Sequence, residues 1–200
     1  LEDDVNELVN FMEHNLEAGG CVLVICNTIA RAQEAYRALA SIYGEDVQLH
    51  HAGFVAWERV EKEDALRDEL GPESRRGSGR PWRKIVVATQ VAEQSLDIDA
   101  DLLITDIAPM DLIIQRIGRL HRHERPATDR PANLQQPQVM IRGIVEREPV
   151  PEFDSGAEYI YGTALLLSTY ANLPSIFRRP DDIEGLVRDT YDRSFTPPVG

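Results

Sequence analysis

Apolar residues recur at Leu1, Val5, Leu8, Val9, Met12 and Leu16 with helical spacing, and the pattern stops at Gly19-Gly20. CVLVIC (21–26) follows, a continuous apolar run rich in β-branched residues that predicts a strand. Asn27-Thr28 make a polar turn, and residues 29–43 return to helical spacing before Gly44. A second strand is predicted at 47–50, and a third helix at 56–70 with Trp57, Val60, Leu66 and Leu70 as its apolar positions and Gly71 as its end. KIVVAT (84–89), LLIT (102–105) and QVMIRGI (138–144) read as further strands, and 159–170 and 181–191 as helices. Continuous apolar strands interleaved with helices are what a parallel sheet covered on both faces requires. The expected fold class is α/β: an open, doubly wound, mostly parallel sheet.

Three segments break the pattern. GPESRRGSGRPWR (71–83) predicts an exposed loop carrying Arg75, Arg76, Arg80 and Arg83 as a basic cluster. Residues 126–137 form a polar, proline-bearing connection, and Pro149, Pro151 and Gly156 interrupt the chain again. The expected organisation is a main unit over 1–147 and a helical extension packed on it over 148–200.

Composition narrows the function. At 200 residues and 42% hydrophobic content the chain can bury one sizeable core. It has no apolar run long enough to span a bilayer, and LEDDVNELVN lacks the features of a signal peptide, so a cytoplasmic protein without membrane contact is expected. Cys21 and Cys26 lie five apart in one strand, so they point to opposite faces and are expected as buried thiols. A net charge of -13 argues against a protein that coats nucleic acid through diffuse positive charge. Only Lys62 and Lys84 are lysines, followed by Glu63 and Ile85, so a phosphate-cradling Gly-Lys-Ser/Thr loop is impossible.

The acidic chain nevertheless concentrates positive charge in QRIGRLHRH (115–123). Arg116, Arg119 and Arg122 recur every three residues and would share one flank if the segment were helical. Guanidinium groups presented together suit a phosphate; a solvated basic face fits the spacing equally. Gly118, inside the segment, suggests close approach of another group. Nearby, VATQVAEQSLDID (87–99) offers Thr89, Gln90, Gln94, Ser95 and Asp97 as short polar groups for a ribose, a phosphate or a nucleic-acid backbone, or else as an ordinary strand end and helix cap. A metal site built from His50, His51, His121, His123 and Glu124 is the weaker option, because adjacent and i,i+2 side chains do not converge on one helix face. In an open parallel sheet functional loops lie at the carboxyl ends of the strands, where Asn27-Thr28, Thr89-Gln90 and the segment 106–122 are expected.

Taken together, VATQVAEQSLDID and LLITDIAPMDLIIQRIGRLHRH closely resemble the second RecA-like domain of superfamily 2 helicases, in particular the CRISPR-associated type I effector helicase-nucleases that Cascade recruits to target DNA. CVLVICNT resembles helicase motif IV, HHAGFVAWERVEKE the DNA-proximal segment after it, ATQVAEQSLDID motif V and QRIGRLHRH motif VI. YIYGTALLLSTYANL and PDDIEGLVRDTYD resemble the helical stretch that follows motif VI. Gln94 and Ser95 depart from the Arg and Gly usual in DEAD-box proteins.

The resemblance implies that Gln115, Arg119 and Arg122 face the triphosphate of ATP, with Arg119 and Arg122 as arginine fingers and Arg116 orienting the loop through local acids. Asp97, with Ser95 and Gly118, would lie by the nucleotide and the inter-domain cleft. Thr89, Gln90, Asn27 and Thr28 would touch the backbone of single-stranded DNA. ATP and magnesium would be held mainly by a preceding RecA-like domain, for the sequence contains neither a phosphate loop nor an Asp-Glu-x-His box. The implied partners are that domain, single-stranded DNA and the Cascade guide-RNA complex, with a nuclease expected in the full-length protein and the fragment inactive alone. A stand-alone, non-catalytic RecA-like module and an unrelated nucleotide-binding α/β enzyme are the alternatives.

Overall fold

A computed structural model describes residues 4–91 and 96–192 of the chain. Helix α1 (Val5–Asn15) opens with Asp4 as its cap, the carboxylate accepting the Asn6 N–H. Strand β1 (Gly20–Ile25) leads to α2 (Ile29–Tyr43), capped by Thr28, whose hydroxyl accepts the Arg31 N–H. Strand β2 (Val47–His50) precedes α3 (Ala56–Leu70). Two short strands, β3 (Arg75–Arg76) and β4 (Gly79–Arg80), form a tight ribbon before β5 (Arg83–Ala88). Strand β6 (Leu102–Asp106), helix α4 (Met110–Ile117) and strand β7 (Gln138–Arg142) follow.

The five long strands form one sheet in the order β2-β5-β1-β6-β7, every neighbouring pair parallel. Alternation along the strands divides the core in two. Val22, Val24 and Cys26, with Ile85, Val87, Leu102 and Ile104, face α1 and α2 through Leu8, Met12, Ala35 and Leu39. Cys21, Leu23 and Ile25, with Val86, Ala88 and Leu103, face Leu66 and Leu70 of α3 and Leu96, Ile98 and Leu120. The sheet is covered on both sides, as its continuous apolar strands require. Cys21 and Cys26 are free, buried and on opposite faces, and burial pushes the Cys21 thiol up to about 12.

Downstream, β8 (Ile144–Glu146) pairs antiparallel with β9 (Glu152–Phe153), followed by α5 (Ser155–Tyr161), α6 (Thr163–Asn172) and α7 (Ile183–Thr190). Ile144, Phe153, Ala157, Leu166 and Leu167 pack on Ile107, Ala108 and Ile113, which seats this stretch on the end of β6 and on α4. Among the described residues no helix is long and apolar enough to cross a membrane.

Four local expectations are corrected. Only the C-terminal half of α3 reaches the core; Trp57 and Val60 are 66% and 53% exposed. The helix expected over 159–170 is broken at Gly162, whose φ of +81° ends α5 and starts α6. The arginines of 71–83 form no common exposed cluster. Arg80 is buried on Asp101 (2.9 Å), Arg83 pairs with Asp46 (2.8 Å), and Arg76 lies over the Trp82 ring. Finally, α4 ends at Ile117 with Gly118 as its C-cap, so Arg116, Arg119 and Arg122 share no helical flank. A Cβ at Gly118 would come within 2.9 Å of the Gln115 carbonyl oxygen, so crowding at the helix end accounts for the glycine.

Candidate functional site

The candidate residues separate to the two ends of the sheet. Strand β6 is five residues long, roughly 16 Å. The chain leaves its carboxyl end at Asp106, and α4 then carries it back across the sheet. Arg119 to Arg122 therefore lie beside Ala100 and Asp101, which precede β6, rather than at the carboxyl edge expected for the whole segment 106–122.

At the amino end, Asp101 and Cys21 exchange two bonds, Asp101 N–H to Cys21 C=O (2.7 Å) and Cys21 N–H to the Asp101 carboxylate (2.8 Å). One residue earlier, Ala100 bridges Leu120: its N–H donates to Arg119 C=O (2.9 Å) and its C=O accepts from His121 N–H (3.0 Å). His121 has φ +44°, in the left-handed region, and its ring Nε2 lies 3.2 Å from Asp101 C=O. Beyond that turn the Arg122 N–H donates to Asp99 Oδ1 at 2.7 Å. The Arg122 side chain turns outward, donating to Asp97 Oδ1 (2.6 Å) and Gly118 C=O (3.3 Å). His123 Nε2 also lies 3.1 Å from Asp97 Oδ1.

Beneath this rim Asp99 and Asp101 have fully buried side chains held by arginines. Arg125 donates to Asp99, Arg130 bonds both carboxylates (2.9 Å to Asp99, 2.6 Å to Asp101), and Arg80 bonds Asp101. Three guanidiniums face two carboxylates, so removing either carboxylate would leave buried positive charge uncompensated. Burial pushes the Asp99 carboxyl up, but the bonds from Arg125 and Arg130 outweigh it and hold the group below the usual carboxylate range. The Arg122 bond does the same for Asp97 at the surface.

The carboxyl end is organised by Asn27 and Asp106. Asn27 N–H donates to Asp106 Oδ2 (3.0 Å), Asn27 Nδ2 to Ile107 C=O (2.7 Å), and Gln90 Nε2 to Asn27 C=O (2.8 Å). Arg31 grips Asp106 through Nε and Nη2, both at 2.8 Å. Burial raises the Asp106 carboxyl and the Arg31 pair lowers it, with a net shift downward. Thr89 is buried, its N–H donating to His50 C=O (3.2 Å), while Thr28 and Gln90 are half-buried at the rim. Asn27, at 3% exposure, is a strut of this edge; Thr28 and Gln90 are its accessible groups.

One side chain joins the two ends. Arg116, fully buried at the end of α4, reaches back to Thr105 Oγ1 (2.7 Å), Asp106 C=O (3.0 Å) and Asn27 Oδ1 (3.2 Å). Three residues on, Arg119 is half-buried, and Gln115 is exposed on the last turn of α4. Ser95 and Gln94 lie outside the described residues. Among the described residues no group of three or more His, Cys, Asp or Glu could hold a metal ion; His50 and His51 are buried near Glu63 and Phe54, and His121 and His123 face Asp101 and Asp97.

Residues 18–125 match the family model described as CRISPR-associated nuclease/helicase Cas3, C-terminal. The chain belongs to this Cas3 family. It is 43% identical over 191 residues to the CRISPR-associated nuclease/helicase Cas3 of Streptococcus thermophilus, covering 95% of this chain and 20% of that relative. A crystal structure of T. fusca Cas3-ATP superposes with a TM-score of 0.86 at 35% identity, covering 95% of this chain and 22% of that one. A CRISPR RNA-guided surveillance complex, pre-nicking, contains a chain matching at TM-score 0.81 and 32% identity over 96% of this chain and 23% of that one. The chain thus spans about a fifth of the length of each of these three relatives.

Sequence reasoning missed the Asp99/Asp101 cluster and the Arg31–Asp106 pair. A signal for the first was present: Asp97, Asp99 and Asp101 alternate, as extended chain with one acidic side requires. Nothing local marks Arg31, whose partner is 75 residues away.

Proposed function

We propose that this chain is the second motor domain of an ATP-dependent DNA helicase acting in type I CRISPR interference. Residues 1–147 form the RecA-like unit and 148–200 an extension packed on it. Arg119 and Arg122, with Gln115, face the triphosphate of ATP held with magnesium by a preceding RecA-like domain, and Asp97 and Gly118 border the nucleotide. Ser95 belongs to the same motif. Thr28 and Gln90, aligned by Asn27 and Thr89, touch the backbone of single-stranded DNA at the other end of the sheet. The full-length protein is a cytoplasmic helicase carrying a nuclease, and the Cascade complex delivers it to its target.

The observation that carries this reading is the separation of the two candidate groups to opposite ends of one rigid sheet, with Arg116 spanning between them. A cleft that closes on a nucleotide at the amino end changes the domain's grip on a strand at the carboxyl end, which is the coupling a motor needs. Guanidinium groups supply fixed charge and bidentate donors to a transferring phosphoryl group but cannot cradle a nucleotide alone. This suits residues that complete a site built elsewhere. Backbone contacts through Thr28 and Gln90 carry no sequence information, so sequence choice falls to the guide complex.

The test is Arg119→Ala in the complete protein. Fingers of this kind contribute about 10³ to 10⁵ in rate, so DNA-stimulated ATP turnover should collapse while nucleotide binding persists. Near-normal turnover would leave the chain a non-catalytic module.

A further inference from the structure

We propose that Asp99 is the positioning residue of the finger loop: its buried carboxylate takes the Arg122 main-chain N–H and so fixes where the Arg119–Arg122 turn presents its guanidiniums. The proposal rests on the finger reading above and adds to it a residue that touches no substrate.

The geometry is specific. His121 lies in the left-handed region, which a non-glycine residue adopts when its surroundings hold it there. Immediately after it, the Arg122 N–H points inward to Asp99 Oδ1 at 2.7 Å while the Arg122 side chain points outward to the rim. Asp99 cannot swing away, because Arg125 donates to Oδ2 and Arg130 Nη2 lies 3.0 and 2.9 Å from its two oxygens. Arg125 is itself pinned to the end of α3 by Gly71 C=O (2.8 Å) and Ser74 C=O. The finger turn is thereby bolted to both α3 and the chain entering β6. Asparagine would keep the volume of Asp99 but turn one acceptor into a donor facing two guanidiniums, so the Arg122 N–H and the arginines would compete for one oxygen.

Asp101 supplies the control. It shares the burial and two of the arginines, Arg80 and Arg130, but its carboxylate anchors Cys21 N–H and not the finger turn. In the complete protein, Asp99→Asn should lower kcat for ATP hydrolysis at least about tenfold with KM within about threefold, the pattern of a lost transition-state interaction. Affinity for ADP with fluoroaluminate should fall by a similar factor while affinity for ADP alone holds. Asp101→Asn should lower Tm yet leave kcat unchanged well below its unfolding transition. Equal loss of kcat in the two variants, or normal kcat in Asp99→Asn, overturns the proposal. Should Asp99→Asn fail to fold, Arg125→Gln, which removes one of the groups aiming Asp99, must show the same kcat-selective loss in weaker form, and normal turnover there overturns it. Collapse of turnover in Arg119→Ala together with normal turnover in Asp99→Asn rejects the positioning role alone; survival of turnover in Arg119→Ala rejects the finger reading beneath it.

Discussion

Arg122 and Asp97, 25 residues apart, meet in a 2.6 Å bond between Nε and Oδ1 at the rim of the amino-end site. Their side chains are 39% and 45% exposed, so solvent screens the pair and its worth to stability is below about 1 kcal/mol. On the proposed reading its value lies in placing a guanidinium beside the nucleotide cleft. Asp97→Ala should therefore shift Tm by less than about 4 °C. On the proposed reading, the same change should raise KM for ATP about three- to tenfold, because it removes a group bordering the nucleotide. Steady-state kinetics of the complete protein, read beside its thermal unfolding, checks this; an unchanged KM with a large loss of Tm would make Asp97 a structural residue.

Arg116 and Arg119 should separate in the opposite sense. Arg116 is fully buried with bonds to Thr105, Asp106 and Asn27. Truncating it leaves several buried acceptors unpaired, at about 3 kcal/mol in total, or a Tm loss of roughly 6 to 12 °C for a domain of this size. Arg119→Ala, from a half-buried position in a turn, should lose less than half of that while abolishing turnover. Thermal unfolding of both variants decides which arginine holds the domain together and which acts outside it.

The sheet was legible because each central strand is a run of apolar residues, and such runs have few other places to go. Helices at 29–43 and 56–70 were legible from their spacing and terminal glycines. The misreadings have physical causes. Trp57 and Val60 keep helical spacing, but α3 meets the sheet only near Leu66 and Leu70, and spacing does not report how far a helix reaches its neighbour. In QRIGRLHRH the types were informative and the geometry was not. A helix that stops at Gly118 sends Arg116 inward, seats Arg119 in a turn and sends Arg122 to the rim. Arg80 sits in a Gly-, Pro- and Ser-bearing stretch that predicts exposure, but its partners, Asp99 and Asp101, lie some twenty residues on, and long-range charge pairing leaves no periodic trace.

Acid should destabilise the domain in two stages. Burial draws the His50 and His121 imidazoles below 6.5, with Glu63 opposing it at His50 and the Asp101 carbonyl bond opposing it at His121. The folded state therefore binds fewer protons than the unfolded state, and this stability is full above pH 6.5 and declines as pH falls below it. Asp99 and Asp106 are held below 3.8, so their contribution is full above about pH 4 and is lost as pH falls through their folded values. Denaturation midpoints from pH 8 to pH 3 should show a shallow decline below 6.5 and a steeper one below 4. Asp106→Asn should lower stability at pH 7 and flatten the second stage; a variant that keeps the steep acid limb at full height would remove Asp106 from it.

At the carboxyl edge, Asn27 and Gln90 should respond differently to truncation. Asn27→Ala strips partners from Arg116 and from the Ile107 carbonyl, both buried, and should cost about 2 to 3 kcal/mol of stability. Gln90 is half-buried, and its one short bond is to a carbonyl at the rim, so Gln90→Ala should leave Tm nearly unchanged. If Gln90 meets the DNA backbone, the variant should bind a single-stranded oligonucleotide a few-fold more weakly. Its dependence of log Kd on log salt should keep the parental slope, since a neutral amide displaces no counterion. Fluorescence anisotropy of the complete protein at several salt concentrations gives both quantities. A shallower slope would mean that the loss travels through a displaced cation rather than through Gln90 itself.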